Sequence, residues 1–289
     1  DPSPAVSAVP TDSRFRRVPF RPDTVVDGWQ LDGVAVRAAS VRGDLHRFNG
    51  APRQDDVLIA EFDGRVIVLV ADGVSSALHS HLGASAATRY GAQWLESQRG
   101  TALEDLDLSN LFDNVAYGLV STCRTMHQMN DDDQELASRE FATTLVVAVV
   151  ERDVDRWDHW VGRLAAVGDS GAWVLTQDGR FVALTEGKNA DGIASNVTAS
   201  LPLDGASRGT APIDIAPGQV LLLGSDGFGD PLGDGRGIVG DVFRELFGQG
   251  LPRPLAVAHA LDFSRERFDD DRTLAAVIPL PTDHEWSAH

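Results

Sequence analysis

The chain has 289 residues, of which 43% are hydrophobic, and a formal net charge of −18. This length can bury at least one large core, and the acidic surface would repel nucleic acids and anionic membranes, so neither is an expected partner. The single cysteine, Cys123, excludes an intrachain disulfide framework and favours a reducing, cytoplasmic setting.

The N-terminal residues 1–25 are rich in proline, serine and arginine and show no hydrophobic periodicity, which predicts a disordered or draped arm. No long linker interrupts residues 26–285, so this segment is expected to form one domain. Its clearest early element is a hairpin, because two β-rich runs flank the turn dipeptide Asp63-Gly64. Apolar residues at helical spacing then predict helices over 76–97 and 108–129.

Strands are predicted to predominate in the rest of the chain, apart from a loop over 186–212 that is rich in small polar residues. The remaining predicted elements are, in chain order, strands over 141–150 and 157–167, a hairpin over 172–184, a strand over 219–223, helices over 238–247 and 255–267, and a strand over 273–278. Because hairpins outnumber strand–helix–strand units, the predicted class is α+β with mainly antiparallel sheets.

Four acidic motifs lie at the ends of predicted apolar strands. They are Gln54-Asp55-Asp56, Asp72-Gly73, Ser225-Asp226-Gly227 and Asp269-Asp270-Asp271. Each motif alone also has a structural explanation, since aspartate commonly stabilises turns. Two carboxylates ~4 Å apart repel by about 4 kcal/mol at an effective dielectric near 20, so a cluster of four requires cations. Oxygen ligands favour magnesium, manganese or calcium over zinc.

The order of these motifs resembles the metal-dependent type 2C Ser/Thr protein phosphatases, in a divergent bacterial-like branch. The resemblance covers residues 35–280 and implies two packed antiparallel sheets flanked by helix pairs, an α-β-β-α sandwich. The motifs that carry it are Arg42-Gly43, His46, Gln54-Asp55-Asp56, Ala71-Asp72-Gly73-Val74, Phe141-Ala142-Thr143-Thr144-Leu145, Val167-Gly168-Asp169-Ser170, Ser225-Asp226-Gly227-Phe228-Gly229-Asp230 and Asp270-Asp271-Arg272-Thr273.

The same resemblance implies a centre of two Mn²⁺ or Mg²⁺ ions. Asp72 would bridge the two ions, and the carbonyl oxygen of Gly73 would bind one of them. Asp226 and Asp270 would complete the protein ligands of the first ion.

The second ion would be bound by Asp56, with or without Asp55. Asp169 is similar to the family residue that binds a weaker third ion. The resemblance therefore implies seven candidate metal ligands in all, counting the four residues named for the bridge and the first ion.

Phosphate recognition is less well defined by the motifs. Arg47 and Arg53 are both candidates for the arginine that binds phosphate, and His46 is a candidate for a partial substitute. The residues that follow two motifs also depart from the family pattern, since 74–76 read Val-Ser-Ser rather than containing two glycines, and Gly171 stands where an arginine is usual.

The function implied by the resemblance is hydrolysis of phosphoserine or phosphothreonine in a protein substrate, with Asp72 and Asp56 at the catalytic centre. The alternative is a pseudophosphatase that binds phosphoproteins without efficient hydrolysis, as the two departures suggest. Cysteine and zinc chemistry are not expected. Cys123 lies in a predicted helix without an anion-binding loop, and His79 and His81 are two residues apart, so they do not share a helix face.

Overall fold

The computed structural model describes residues 23–185, 199–203, 208–264 and 268–281. Within these ranges the strands are β1 (Thr24–Leu31), β2 (Val34–Val41), β3 (Asp56–Phe62), β4 (Arg65–Ala71), β5 (Leu145–Arg152), β6 (Trp160–Val167), β7 (Gly171–Leu175), β8 (Phe181–Ala183), β9 (Arg208–Ile215), β10 (Val220–Gly224) and β11 (Arg272–Pro279). The α-helices are α1 (Asp44–Asn49), α2 (Ser80–Ser97), α3 (Leu108–Met126), α4 (Gln134–Phe141), α5 (Asp226–Leu232), α6 (Ile238–Gly248) and α7 (Pro254–Leu261).

The strands form two antiparallel sheets that pack face to face. One sheet has the order β1-β2-β11-β10-β7-β8 and the other β3-β4-β5-β6-β9. Helices α2, α3 and α4 cover the outer face of the second sheet, and α5, α6 and α7 cover the outer face of the first. This arrangement is the predicted α-β-β-α sandwich.

Strand β4 shows why the central strands read as unbroken apolar runs. Val66 and Val68 pack into the core between the sheets, whereas Ile67 and Leu69 pack against the helices on the other side. Successive side chains of a strand point to opposite faces, so a strand in the middle of four layers needs apolar residues at every position.

Several predicted boundaries were wrong; α7, for example, ends at Leu261, six residues before the predicted end of its helix. The strand predicted over 141–150 begins only at Leu145 in β5, because the preceding residues 134–141 form helix α4, whose first turn is capped by Asp133 accepting a hydrogen bond from Leu136 N at 2.8 Å. Strand β9 occupies the end of the predicted loop over 186–212, and its pairing with β6 outweighs the small polar composition of that segment. The rest of that loop lies largely outside the described residues.

The N-terminal residues 1–22 also lie outside the described residues. Strand β1 begins at Thr24, so the last two residues of the predicted arm belong to this strand, and Thr24 pairs with Val41. Helices α1, α4 and α5 were not predicted, and α1 and α5 carry His46 and Asp226 respectively. In the part of the chain that is described, no helix combines the length and apolarity needed to cross a membrane.

Candidate metal centre

The strand ends at one edge of the sandwich carry the predicted aspartates. Asp55 directly precedes β3 and Asp72 directly follows β4, and these two strands pair at that end through Asp56 and Ala71. In the other sheet, Asp226 follows β10 and Asp270 precedes β11, which pair there in the same way. Each sheet therefore supplies two carboxylates to the same edge.

The electrostatics show that four of these carboxyl groups are close neighbours. Burial raises the pKa of Asp72 well above its ordinary value, and the charges of Asp55, Asp226 and Asp270 raise it further. Asp72 also shares a side-chain hydrogen bond with Asp55, whose pKa is raised to about 7 by burial and by the charge of Asp271. Burial and Asp271 raise the pKa of Asp270 to about 6. Mutual repulsion of this kind is relieved by bound cations.

A chain of buried hydrogen bonds orients the Asp55 carboxylate. Arg53 Nη1 donates to Ser40 Oγ at 2.6 Å, Ser40 Oγ lies 2.6 Å from Thr273 Oγ1, and Thr273 Oγ1 donates to Asp55 Oδ2 at 2.7 Å. None of the four residues is more than 2% exposed. We call this chain the Asp55 relay. It crosses from strands β2 and β11 of one sheet to the start of β3 in the other.

The relay also explains where Arg53 lies. In addition to Ser40, its guanidinium donates to the backbone carbonyl of Asp55. The side chain is 2% exposed, so this predicted phosphate-binding candidate is directed into the protein and toward Asp55.

His46 forms a second buried group with Asp271. Its Nδ1 lies 2.9 Å from Asp271 Oδ1 and 3.9 Å from Asp270 Oδ1. Burial acts to lower the pKa of His46, but the hydrogen bond and charge of Asp271 outweigh it and raise that pKa to about 9. Burial acts to raise the pKa of Asp271. The hydrogen bonds that Asp271 forms with His46 and with the backbone N–H of Gly43 outweigh burial, so the pKa of Asp271 is lowered. His46, Asp270 and Asp271 each offer a potential ligand atom, and these atoms lie within 4.8 Å of one another.

Close backbone packing beside this group depends on glycine. A Cβ at Gly43 would lie 2.2 Å from the backbone of Asp270, and a Cβ at Gly227 would lie 1.9 Å from the carbonyl oxygen of Asp271. Any larger residue at either position would displace the segment that carries the two aspartates.

Asp56 points in a different direction from Asp55. Its Oδ2 accepts hydrogen bonds from Ser85 Oγ at 2.5 Å and from Arg89 Nη1 at 3.2 Å, both on helix α2. Because consecutive residues of an extended chain present their side chains to opposite sides, Asp55 is directed at the carboxylate group and Asp56 at the helix.

Arg47, the other candidate for phosphate binding, lies on α1 and is surrounded by three aspartates. Its guanidinium is 3.1 Å from Asp23, 3.3 Å from Asp44 and 3.0 Å from Asp262. These carboxylates already neutralise the charge that a phosphate would require.

Gly73 lies two residues beyond the end of β4 and continues the pairing of that strand. It forms an isolated bridge with Thr143, whose Oγ1 donates to the carbonyl of Asp72 at 2.9 Å. A Cβ at Gly73 would lie 2.7 Å from the carbonyl oxygen of Ser80, so the path from Asp72 into helix α2 is tightly packed.

Asp169 lies in the turn between β6 and β7, which is tied to the segment of Asp72. The backbone N–H of Asp72 donates to Thr144 Oγ1 at 3.1 Å, and the same hydroxyl is 2.7 Å from Ser170 Oγ. Gly168 permits this turn with a φ of 96°. The half-buried Asp169 is thereby held near the end of β4.

Three contributors to this site were missed by the sequence reasoning: Ser40, Thr273 as a hydrogen-bond donor, and Asp271 as a partner of His46. One signal was available, because Ser40 and Thr273 are polar residues within otherwise apolar runs. They face each other in the register of β2 and β11. Their pairing across 233 positions of sequence is not visible in the sequence itself.

A family comparison identifies the chain. The family profile described as "Protein phosphatase 2C" matches residues 42–261, which is most of the chain. The chain belongs to the protein phosphatase 2C family. The resemblance found in the sequence is thereby confirmed, and the matched range includes Asp55, Asp72 and Asp226. A search of curated proteins found no significant match.

Solved structures show the same fold at low sequence identity. The serine/threonine phosphatase from Staphylococcus aureus is 17% identical with a TM-score of 0.62, covering 87% of this chain and 96% of that one. The catalytic domain of the phosphatase PstP, in complex with 2 manganese ions, is 18% identical with a TM-score of 0.54, covering 86% and 99%. RsbX, in complex with magnesium, is 10% identical with a TM-score of 0.55, covering 88% and 98%.

Proposed function

We propose that this protein is a metal-dependent phosphatase that hydrolyses phosphoserine or phosphothreonine in protein substrates. The observation that carries the proposal is the group formed by Asp55, Asp72, Asp226 and Asp270, in which the charges of the other three carboxylates raise the pKa of the buried Asp72. We call it the four-aspartate group. Membership of the protein phosphatase 2C family supports the same reaction and a phosphorylated protein as substrate.

The donor set fits hard divalent cations such as Mn²⁺ or Mg²⁺, since every proposed ligand atom is an oxygen. Asp72 is the proposed bridging ligand, because its pKa is raised by the charges of all three other members. Asp226 and Asp270 would bind one ion with it, and the Gly73 carbonyl and Asp55 would serve the other. We favour Asp55 over Asp56 because Asp56 is directed to Ser85 and Arg89.

Asp169 is the proposed ligand for a third, weaker ion. The bonds through Thr144 hold its turn beside Asp72. Bound divalent cations would supply a water of lowered pKa and positive charge next to the phosphoryl group.

The protein's own residues orient the ligands. The Asp55 relay fixes one carboxylate, and the hydrogen bond that the backbone N–H of Gly43 donates to Asp271 Oδ1 at 2.7 Å fixes the approach of α1 to the Asp270 segment. No serine, cysteine or histidine nucleophile is needed for this chemistry. The proposal assigns no phosphate contact to Arg53, because its side chain supports Asp55 from the interior.

The pseudophosphatase alternative is not favoured. The departures at 74–76 and Gly171 leave all four aspartates in place, and the hydrogen bonds that orient Asp55 and Asp72 are formed. We further propose that the protein acts in cytoplasmic signalling by removing phosphate groups. The single cysteine supports the reducing compartment, and the reversible nature of protein phosphorylation supports the regulatory role.

The proposal is tested by hydrolysis of p-nitrophenyl phosphate and of a phosphothreonine peptide. The protein is first stripped of metal with a chelator and then supplied with Mn²⁺ or Mg²⁺. We expect no turnover in chelator and recovery with either ion. Full turnover in excess chelator would contradict the metal-dependent reaction, and turnover of neither substrate with Mn²⁺ would favour the pseudophosphatase.

A further inference from the structure

A groove on the outer face of the molecule lies between helix α3 and the short segment Leu201-Pro202-Leu203. Its volume is about 470 Å³, which is large enough to receive one or two side chains of a bound peptide. Tyr117 of α3 and Leu203 contribute large apolar side chains that are 63% and 48% exposed. Gln134 Nε2 donates to the carbonyl of Pro202 at 2.8 Å, which links this segment to the first residue of helix α4.

The rim of this groove is acidic. Asp113 and Asp132 line it and are exposed, and the neighbouring Asp131 and Glu135 are also exposed. Asp132 is paired with Arg124, whose Nη1 lies 3.1 Å from Asp132 Oδ1. Together with a net charge of −18, this rim favours a partner that carries lysine or arginine next to an apolar residue.

The groove is connected to the four-aspartate group through backbone pairing. Leu201 exchanges hydrogen bonds with Thr143 at 2.9 and 3.1 Å, and Thr143 Oγ1 donates to the Asp72 carbonyl. Paired strands lie about 5 Å apart and an extended chain advances at most ~3.6 Å per residue, so Leu203 is within roughly 20 Å of Asp72. An extended peptide of about six residues spans that distance.

We propose that this groove binds the polypeptide of the phosphoprotein substrate, and that it selects an apolar side chain flanked by basic residues about six positions from the phosphorylated residue. The inference rests on the proposed function and specifies its substrate class. An aromatic residue such as Tyr117 contributes a large contact area with little loss of side-chain freedom. The acidic rim would disfavour substrates whose flanking residues are acidic.

The experiment compares two phosphothreonine peptides that differ only at the tripeptides centred six residues before and six residues after the phosphothreonine. These tripeptides are Arg-Leu-Arg in one peptide and Glu-Ser-Glu in the other. Tyr117→Ser and Asp113→Asn are the test variants. Leu255→Ser is the matched control, since it removes an apolar side chain that is 73% exposed on α7, on the opposite outer layer. All proteins are also assayed on p-nitrophenyl phosphate, which is too small to reach the groove.

We expect wild-type protein to prefer the basic-apolar peptide. Tyr117→Ser should lower kcat/KM for this peptide about fivefold by raising KM, as for a typical interface contact. Tyr117→Ser and Asp113→Asn should leave p-nitrophenyl phosphate hydrolysis unchanged, and Leu255→Ser should change neither assay. Equal kcat/KM for the two peptides in wild-type protein, or no effect of Tyr117→Ser, would overturn the docking proposal while leaving the phosphatase reaction intact.

A binding measurement separates failure of the docking proposal from failure of the reaction. Fluorescence anisotropy of the labelled, unphosphorylated basic-apolar peptide requires no turnover. Weaker binding by Tyr117→Ser than by Leu255→Ser would support the groove even if no substrate were hydrolysed. Equal binding by both variants would contradict it.

Discussion

Replacement of Thr273 by valine removes one hydroxyl from the Asp55 relay and keeps the shape of the side chain. In the wild-type protein this hydroxyl donates to Asp55 Oδ2 at 2.7 Å and lies 2.6 Å from Ser40 Oγ. Because Thr273 gives its proton to Asp55, Ser40 is the donor in the second bond. The variant therefore leaves the Asp55 carboxylate without this donor and Ser40 without its acceptor, in a region that is fully buried.

Thr273→Val should weaken metal binding and also lower the free energy of unfolding. Loss of an outer partner of a metal-binding carboxylate typically lowers metal affinity by about 10- to 100-fold, which corresponds to roughly 1.4 to 2.7 kcal/mol. Loss of the hydrogen bonds should lower the free energy of unfolding by about 1 kcal/mol each. The assay is isothermal titration of metal-free protein with Mn²⁺, with thermal unfolding measured on the same samples.

The matched control is Thr122→Val on helix α3. The Thr122 hydroxyl donates to the Gly118 carbonyl at 2.9 Å and lies 2.7 Å from Tyr90 Oη, so its loss also removes two hydrogen bonds, but on the outer helical layer. We expect a comparable loss of stability and unchanged Mn²⁺ affinity. A folded Thr273→Val protein that binds Mn²⁺ as tightly as the wild type would refute a role for the relay in positioning Asp55.

Three further predictions follow from the site. Asp72→Asn should lower kcat by at least ~100-fold, or over about 2.7 kcal/mol of activation free energy, without unfolding the protein; near-normal turnover would contradict a bridging role. Arg53→Lys should weaken Mn²⁺ binding, because lysine cannot reach Ser40 and the Asp55 carbonyl together, whereas Arg47→Lys should change KM little; the reverse order in titration and kinetics would assign phosphate binding to Arg47. The metal-free protein should lose stability as pH rises from about 4 to 7. The pKa is raised to about 6 for Asp270 and to about 7 for Asp55. The folded state therefore binds more protons than the unfolded chain over this range, and it is destabilised as those protons are lost. His46, with its pKa near 9, should extend the loss above pH 6.5, and thermal melts in chelator at pH 5 and 7.5 would contradict this if the higher pH were the more stabilising.

The residue pattern was sufficient to predict most of the later strands because the central strands are buried on both faces, whereas the layering of two sheets between helices was implied by the family resemblance. Runs such as those of β4 and β10 have no other stable location than the middle of a sandwich. The β3–β4 hairpin was predictable for a different, local reason, because the Asp63-Gly64 dipeptide favours a tight turn between two strands. Short helices such as α1 escaped prediction because six residues carry too little periodicity.

The sequence contains the motifs of the candidate site, but it does not define the orientations of their side chains. Adjacent aspartates at 55 and 56 are equivalent in the sequence, and their different roles depend on which side of β3 each one faces. The surroundings of Arg53 and Arg47 depend on residues more than 200 positions away, such as Thr273 and Asp262. Contacts at that separation are fixed by the packing of the two sheets, which no local pattern specifies.

The most direct test of the central claim is a crystal structure of the protein soaked in Mn²⁺, with the ions located by their anomalous scattering. We predict two strong peaks bridged by Asp72, with Asp226 and Asp270 around one and Asp55 beside the other, and Asp56 still bound to Ser85 and Arg89. A single ion held by His46, Asp270 and Asp271, or no ion next to Asp72, would contradict the assignment of the metal centre to the four-aspartate group.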